Sequence, residues 1–172
     1  MRMGHDPKRQ NLKEAQWEIT YRNTPGDFFR FYLGNAYSQW TGIVNVIFTV
    51  SAAALIFARF NHTNLLGKIL MIFALLVFPV IQPLAFYLRG VKQAAAIEPE
   101  TTLIFTEKGM HIRVKSHVQD LTWKQFQPPV RRLKLTVVSP DGIHAYLIPD
   151  RAVPGDPAEL VRFIQDHLQS YS

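Results

Sequence analysis

Histidine is the side chain best suited to proton transfer or metal binding near neutral pH, and this chain has six: His5, His62, His111, His117, His144 and His167. Only His111 and His117 are close enough along the chain to meet, across a strand, a turn and a second strand. Zinc takes three or four protein ligands, and no acid cluster completes that set. Cysteine is absent, which also removes a disulfide framework and a thiol nucleophile. No serine stands in a Gly-x-Ser-x-Gly elbow and no glycine-rich loop follows a strand pattern, so neither a hydrolase triad nor a phosphate cradle is encoded. Glu98 and Glu100 flank Pro99 and read as a solvated linker rather than as a general acid and base. The sequence therefore predicts no catalytic residue, no metal and no cofactor, and the chain is expected not to be an enzyme.

Two other groups of residues are suited to binding. His111, Arg113 and Lys115 alternate with Met110, Ile112 and Val114 at the period of a strand, which puts three basic side chains on one face; Arg132 and Lys134 extend the same sign nearby. Such a face is either an ordinary solvated surface or one that rests on anionic lipid headgroups. The second group is Asn45 and Gln82, each inside an uncharged apolar run and at similar depth. A hydrogen bond between them would fix the register of a helix pair. A substrate or ion path would ask for ionisable groups there, and the runs have none. The formal charge of +6 and pI near 9.7 do not point to nucleic acid, because no helix or aromatic-laced strand gathers the charge.

The apolar runs are the strongest feature of the chain, although a mean hydropathy near zero hides them. Thr41–Ala58 and Ile69–Leu88 are eighteen and twenty residues without a charge, or helices of about 27 and 30 Å, the thickness of a hydrocarbon core. Neither has the polar stripe of a buried soluble helix. Residues 41–88 are expected to form a two-helix transmembrane hairpin (41–58 and 69–88) with connector 59–68, so the bilayer is the first partner. Arg22, Arg30, Arg89 and Lys92 outside the hairpin oppose Arg59 and Lys68 in its connector, which places both termini in the cytoplasm. Pro79 and Pro83 should kink the second helix, and Ser51-Ala52-Ala53-Ala54 offers a close-packing surface. A protein partner or a second copy could be met through the hairpin.

Around the hairpin, residues 1–15 read as a mobile polar tail, and 16–40 as a strand and an aromatic amphipathic helix leading into the membrane. Trp17–Arg22 alternates like a half-buried strand; Thr24-Pro25-Gly26-Asp27 is a helix start, with Phe28 and Phe31 expected to pack on the soluble domain. After a linker at 90–100, strands are expected at 102–106, 110–115, 118–123, 133–139 and 143–148. A final helix opens at Asp156-Pro157. This is an α+β chain whose segment 97–172 forms a small antiparallel sheet or barrel closed by the C-terminal helix. Some seventy residues make a marginal core, so strand 17–22 is expected to complete it as a sixth strand.

The layout and three stretches resemble the YcxB-like family of bacterial membrane proteins: Leu103-Ile104-Phe105-Thr106-Glu107-Lys108-Gly109, Leu121-Thr122-Trp123-Lys124-Gln125-Phe126 and Ile148-Pro149-Asp150-Arg151-Ala152-Val153. The resemblance covers residues 16–169. It implies a PH-like cytoplasmic domain, an inner-membrane location and no established activity, and Pro128-Pro129 with Arg131-Arg132 departs from its usual pattern. The expected function is that of a membrane-anchored PH-like binding or interaction module. The alternatives are a self-protection factor against membrane-active peptides and an accessory subunit of a transporter.

Overall fold

The computed structural model of the chain describes residues 16–38, 40–96, 100–115 and 117–170. The expected tail 1–15, with His5, and the linker acid Glu98 lie outside the described residues. The chain divides into a helical unit, Thr24–Ala96, and a sheet unit built from the residues on either side of it.

In the sheet unit, β1 (Trp17–Tyr21) pairs antiparallel with β2 (Thr101–Thr106), with Tyr21 opposite Thr101 and Trp17 opposite Phe105. β3 (Gly109–Val114) and β4 (His117–Thr122) continue this four-stranded sheet in the order β1-β2-β3-β4. The alternation read in β1 is real: Ile19 and Tyr21 are buried while Glu18 and Thr20 face out. A tight turn joins β2 to β3, and only glycine fits at 109, where φ is +157° and a Cβ would stand 1.9 Å from the Leu121 carbonyl oxygen.

A second sheet holds β5 (Val130–Arg132), β6 (Leu135–Val138) and β7 (Tyr146–Pro149). The sheets are thus two, with seven strands, and no barrel is closed among the described residues. Helix α5 (Pro157–Ser170) packs its Leu160 and Ile164 against the core. Trp123 joins these layers. It is 1% exposed, its indole N–H donates to the carbonyls of Thr106 and Glu107, both at 3.1 Å, and its ring meets Phe105, Phe126, Phe163 and His167.

The expected strand 133–139 is instead a hairpin. Arg132 pairs with Leu135, so Leu133 and Lys134 form a two-residue turn, with φ of +51° and +61°. Positive φ at both central residues is the mark of a type I′ turn, which suits Asn-Gly; a leucine and a lysine carry no such signal. Strand 143–148 likewise begins only at Tyr146, because Asp141 holds the preceding residues in a turn.

The helical unit consists of α1 (Pro25–Ala36), α2 (Trp40–Arg59) and a continuous helix of two α segments, α3 (Leu65–Leu76) and α4 (Gln82–Ala96), joined by a π-helical turn at Val77–Ile81. Thr24 caps α1 reciprocally with Asp27: its N–H and hydroxyl both donate to the Asp27 carboxylate at 2.8 Å. The helix read as ending before a linker at Gly90 runs on to Ala96. Gly90 is a packing residue rather than a stop: a Cβ there would lie 2.7 Å from the Pro25 carbonyl oxygen. Within the helical unit the aromatic side chains of α1 lie along α4, Phe29 against Tyr87 and Tyr32 against Phe86, and Phe28 is buried.

Two helices, Trp40–His62 and Leu65–Ala96, are long and apolar enough to cross a bilayer, at 23 and 32 residues. Both outrun the expected limits 41–58 and 69–88. Their apolar side chains point outward, Phe57 being 96% exposed.

Ile19 is fully buried against β2. Ile19→Ala is expected to destabilise the sheet unit by about 2–5 kcal/mol, seen as faster amide exchange in β2 and β3 of the intact protein. Unchanged exchange in β3 would mean that β1 is not part of that core.

Candidate functional site

The basic residues read from the sequence fall on two different sheets. His111 and Arg113 stand on the outer face of β3, Lys115 follows in the β3–β4 turn with φ of +53°, and Arg132 and Lys134 belong to the β5–β6 hairpin. His111 is engaged by Asp120 on β4, its Nδ1 lying 2.5 Å from a carboxylate oxygen. Among the described residues Arg132 and Lys134 make no ion pair, whereas their neighbour Arg131 is held by Asp150 at 2.7 Å. That carboxylate keeps the Arg131 guanidinium above its ordinary pKa through a hydrogen bond and then through its charge. Asp150 also donates its backbone N–H to the Lys134 carbonyl at 3.1 Å, and Arg151 donates to the Arg22 carbonyl at 3.3 Å. The pairings of Asp120 and Asp150 were not read from the sequence, because nothing local marks an acid as the partner of a base nine or nineteen residues away.

A cleft of about 540 Å³ lies elsewhere in the sheet unit, lined by Gln119, Leu121, Gln125, Pro140, Asp141, His144 and Tyr146. Its acid is locked. Asp141 accepts the backbone N–H groups of Ile143 and His144 and meets the His144 ring at 2.5 Å. The His144 ring first, and then these backbone donors, draw its carboxyl pKa down to about 2. Burial, and then the Asp141 charge, push the Tyr146 phenol above its ordinary value. The cleft offers hydrogen-bonding amides and an apolar wall. Among the described residues no group of three or more His, Cys, Asp or Glu is placed to hold a metal ion.

In the helical unit, Asn45 and Gln82 are brought together: Asn45 Nδ2 donates to Gln82 Oε1 at 3.3 Å, and Asn45 is 3% exposed. Two further polar groups, missed in the sequence, join them. Thr49 donates its hydroxyl to the Asn45 carbonyl at 2.8 Å, and Tyr37 donates its phenol to the Phe78 carbonyl at 2.9 Å. The Phe78 contact has a covalent cause. In the π turn the Gln82 N–H goes to Val77, so the next amide in that register would serve Phe78, but residue 83 is proline and has no N–H. Tyr37 supplies the missing donor. Tyr37, Asn45, Thr49 and Phe78 border a small cleft of about 230 Å³ with Val46, Val50 and Pro79.

Comparison with family models, with curated proteins and with solved structures gives no match. Function therefore rests on the geometry of the chain.

Tyr37→Phe should cost about 1–3 kcal/mol by leaving the Phe78 carbonyl unpaired, and Pro83→Ala, which restores an amide donor, should shrink that cost by at least half. Unfolding of the four members of this double-mutant cycle in mixed micelles reads the coupling; additive effects would show that the two residues do not share the carbonyl. For Asp141, a lowered pKa in the fold means that its contribution is complete above about pH 4 and is lost as the pH falls towards 2. Carboxyl chemical shifts should therefore give Asp141 a midpoint near 2, with Ile143 and His144 amides loosening together with it. A midpoint at the ordinary value of about 4 would remove the proposed lock.

Proposed function

We propose that this chain is an integral membrane protein whose two long apolar helices cross the bilayer, and that it acts by binding through a PH-like cytoplasmic domain rather than by catalysis. The observation that carries this reading is the outward-facing apolar surface of Trp40–His62 and Leu65–Ala96, interrupted by no charge over a bilayer-thick length and inserted between two paired strands of one sheet. Trp40, 79% exposed, and Tyr37 sit at the start of the first helix, where an aromatic belt belongs. Two antiparallel sheets of four and three strands with a terminal helix over Trp123 support the PH-like assignment; the bacterial inner membrane is proposed on the resemblance of the three sequence stretches alone.

In this arrangement both termini are cytoplasmic and the 60–64 turn is outside, with a protein partner or a second copy met through the hairpin. Because the native chain has no cysteine, single substitutions report topology directly. Asn61→Cys should react with an impermeant maleimide in intact cells, and Ser170→Cys only after permeabilisation. Release of the protein from membranes by alkaline carbonate, or labelling of both positions from the same side, would overturn the proposal.

A further inference from the structure

We infer that the sheet unit docks on anionic lipid headgroups through one end, with Leu133 at the tip of the β5–β6 hairpin entering the interface between Arg132 and Lys134. The inference rests on the membrane reading above and adds which residues meet the lipid and which lipid class they select.

Strand register defines the end in question. Tyr21, Thr101, Val114 and His117 form the row at which β1 stops and β2 begins. The chain therefore leaves for the apolar helices and returns from them at this row, whatever the disposition of the two units. The β3–β4 turn, with Lys115, lies on the same row, and Arg113 is one residue back from it. The second sheet reaches the same end: Arg151 is bonded to the carbonyl of Arg22, and its neighbour Asp150 is bonded to the carbonyl of Lys134 and to the side chain of Arg131. One end of the unit thus gathers Arg22, Arg113, Lys115, Arg132 and Lys134. The cleft residue Leu121 belongs to the opposite row, paired with Met110.

Charge alone would make this a solvated surface. The tip adds a second, independent observation. Leu133 is 49% exposed at φ +51°, and Lys134 follows at +61°, a backbone shape that glycine and asparagine adopt far more readily. An apolar side chain held at the apex of a strained turn, flanked by two cations with no ion pair among the described residues, has the chemistry of an interfacial wedge: the cations meet phosphate and the leucine leaves water. Strain retained at an exposed position points to a use for the side chain found there.

The test uses the intact chain in nanodiscs of phosphatidylcholine, with or without about one third phosphatidylglycerol. An environment-sensitive fluorophore is placed on Leu133→Cys, on Ile143→Cys, which is 86% exposed on the β6–β7 loop away from the tip, or on Phe57→Cys in α2. The expected result is a blue shift at position 133 in the anionic discs only, reversed by high salt, and no shift at position 143. Adding Arg132→Gln or Lys134→Gln should weaken the docked fraction about five-fold per charge. Leu133→Asn with Lys134→Gly should raise the melting temperature in neutral discs, by relaxing the turn, while abolishing any rise due to anionic lipid. A label at 133 that stays aqueous while the label at 57 is quenched by lipid-borne quenchers overturns the inference and leaves the membrane reading standing. If the label at 57 is not quenched either, both fall. An equal response in neutral discs, or at position 143, would refute the lipid class or the location.

Discussion

Everything in this chain depends on β1 finding β2. The two strands form adjacent members of one sheet, yet about eighty residues of helix separate them. A flexible loop of that length would close roughly 2–3 kcal/mol less favourably than a hairpin turn, since each doubling costs about 0.6 kcal/mol. The insertion avoids much of that cost by bringing its own ends together. Helix α1 at its beginning packs along α4 at its end, close enough that Gly90 has no room for a methyl group beside the Pro25 carbonyl. The aromatic faces of α1 and α4 thus do for the sheet what a turn does elsewhere, and the reciprocal Thr24–Asp27 cap fixes where α1 starts.

Within the sheet unit, Trp123 holds the first sheet to α5, and this leaves the two ends of the unit free to differ. One end gathers cations and the chain connections to the helices; the cleft with its locked Asp141 opens elsewhere. The unit has a polarity along its strands that composition does not reveal, because a net charge of +6 for the whole chain carries no position.

Much of the architecture is written locally in the sequence. Eighteen or more residues without a charge announce the long helices, and alternation at Trp17–Tyr21 together with the small size of the segment after residue 100 argues for that strand in the C-terminal sheet. The Asn45–Gln82 contact follows from matching depths in two antiparallel helices. What escaped has a physical reason in each case. Leu133-Lys134 turns the chain without glycine, asparagine or proline, so nothing there marks a reversal. Gly90 reads as a helix end, but its role is to admit another helix's backbone. The Phe78 carbonyl is invisible as a binding group, because its need for Tyr37 arises only from the meeting of a π turn and a proline.

The π turn has a geometric consequence. Each residue of an α-helix advances the side-chain direction by about 100°, and one wider turn takes up an additional residue without changing the axis greatly. Val77–Ile81 therefore shifts the angular phase between the first and second parts of the long helix. Helix α3 can present one side to α2 while α4 presents another to α1, although both are a single uninterrupted rod. Such a rod serves as a phase coupler: two partners that need not share a helical face are joined through one backbone, with the offset between them set by a single residue.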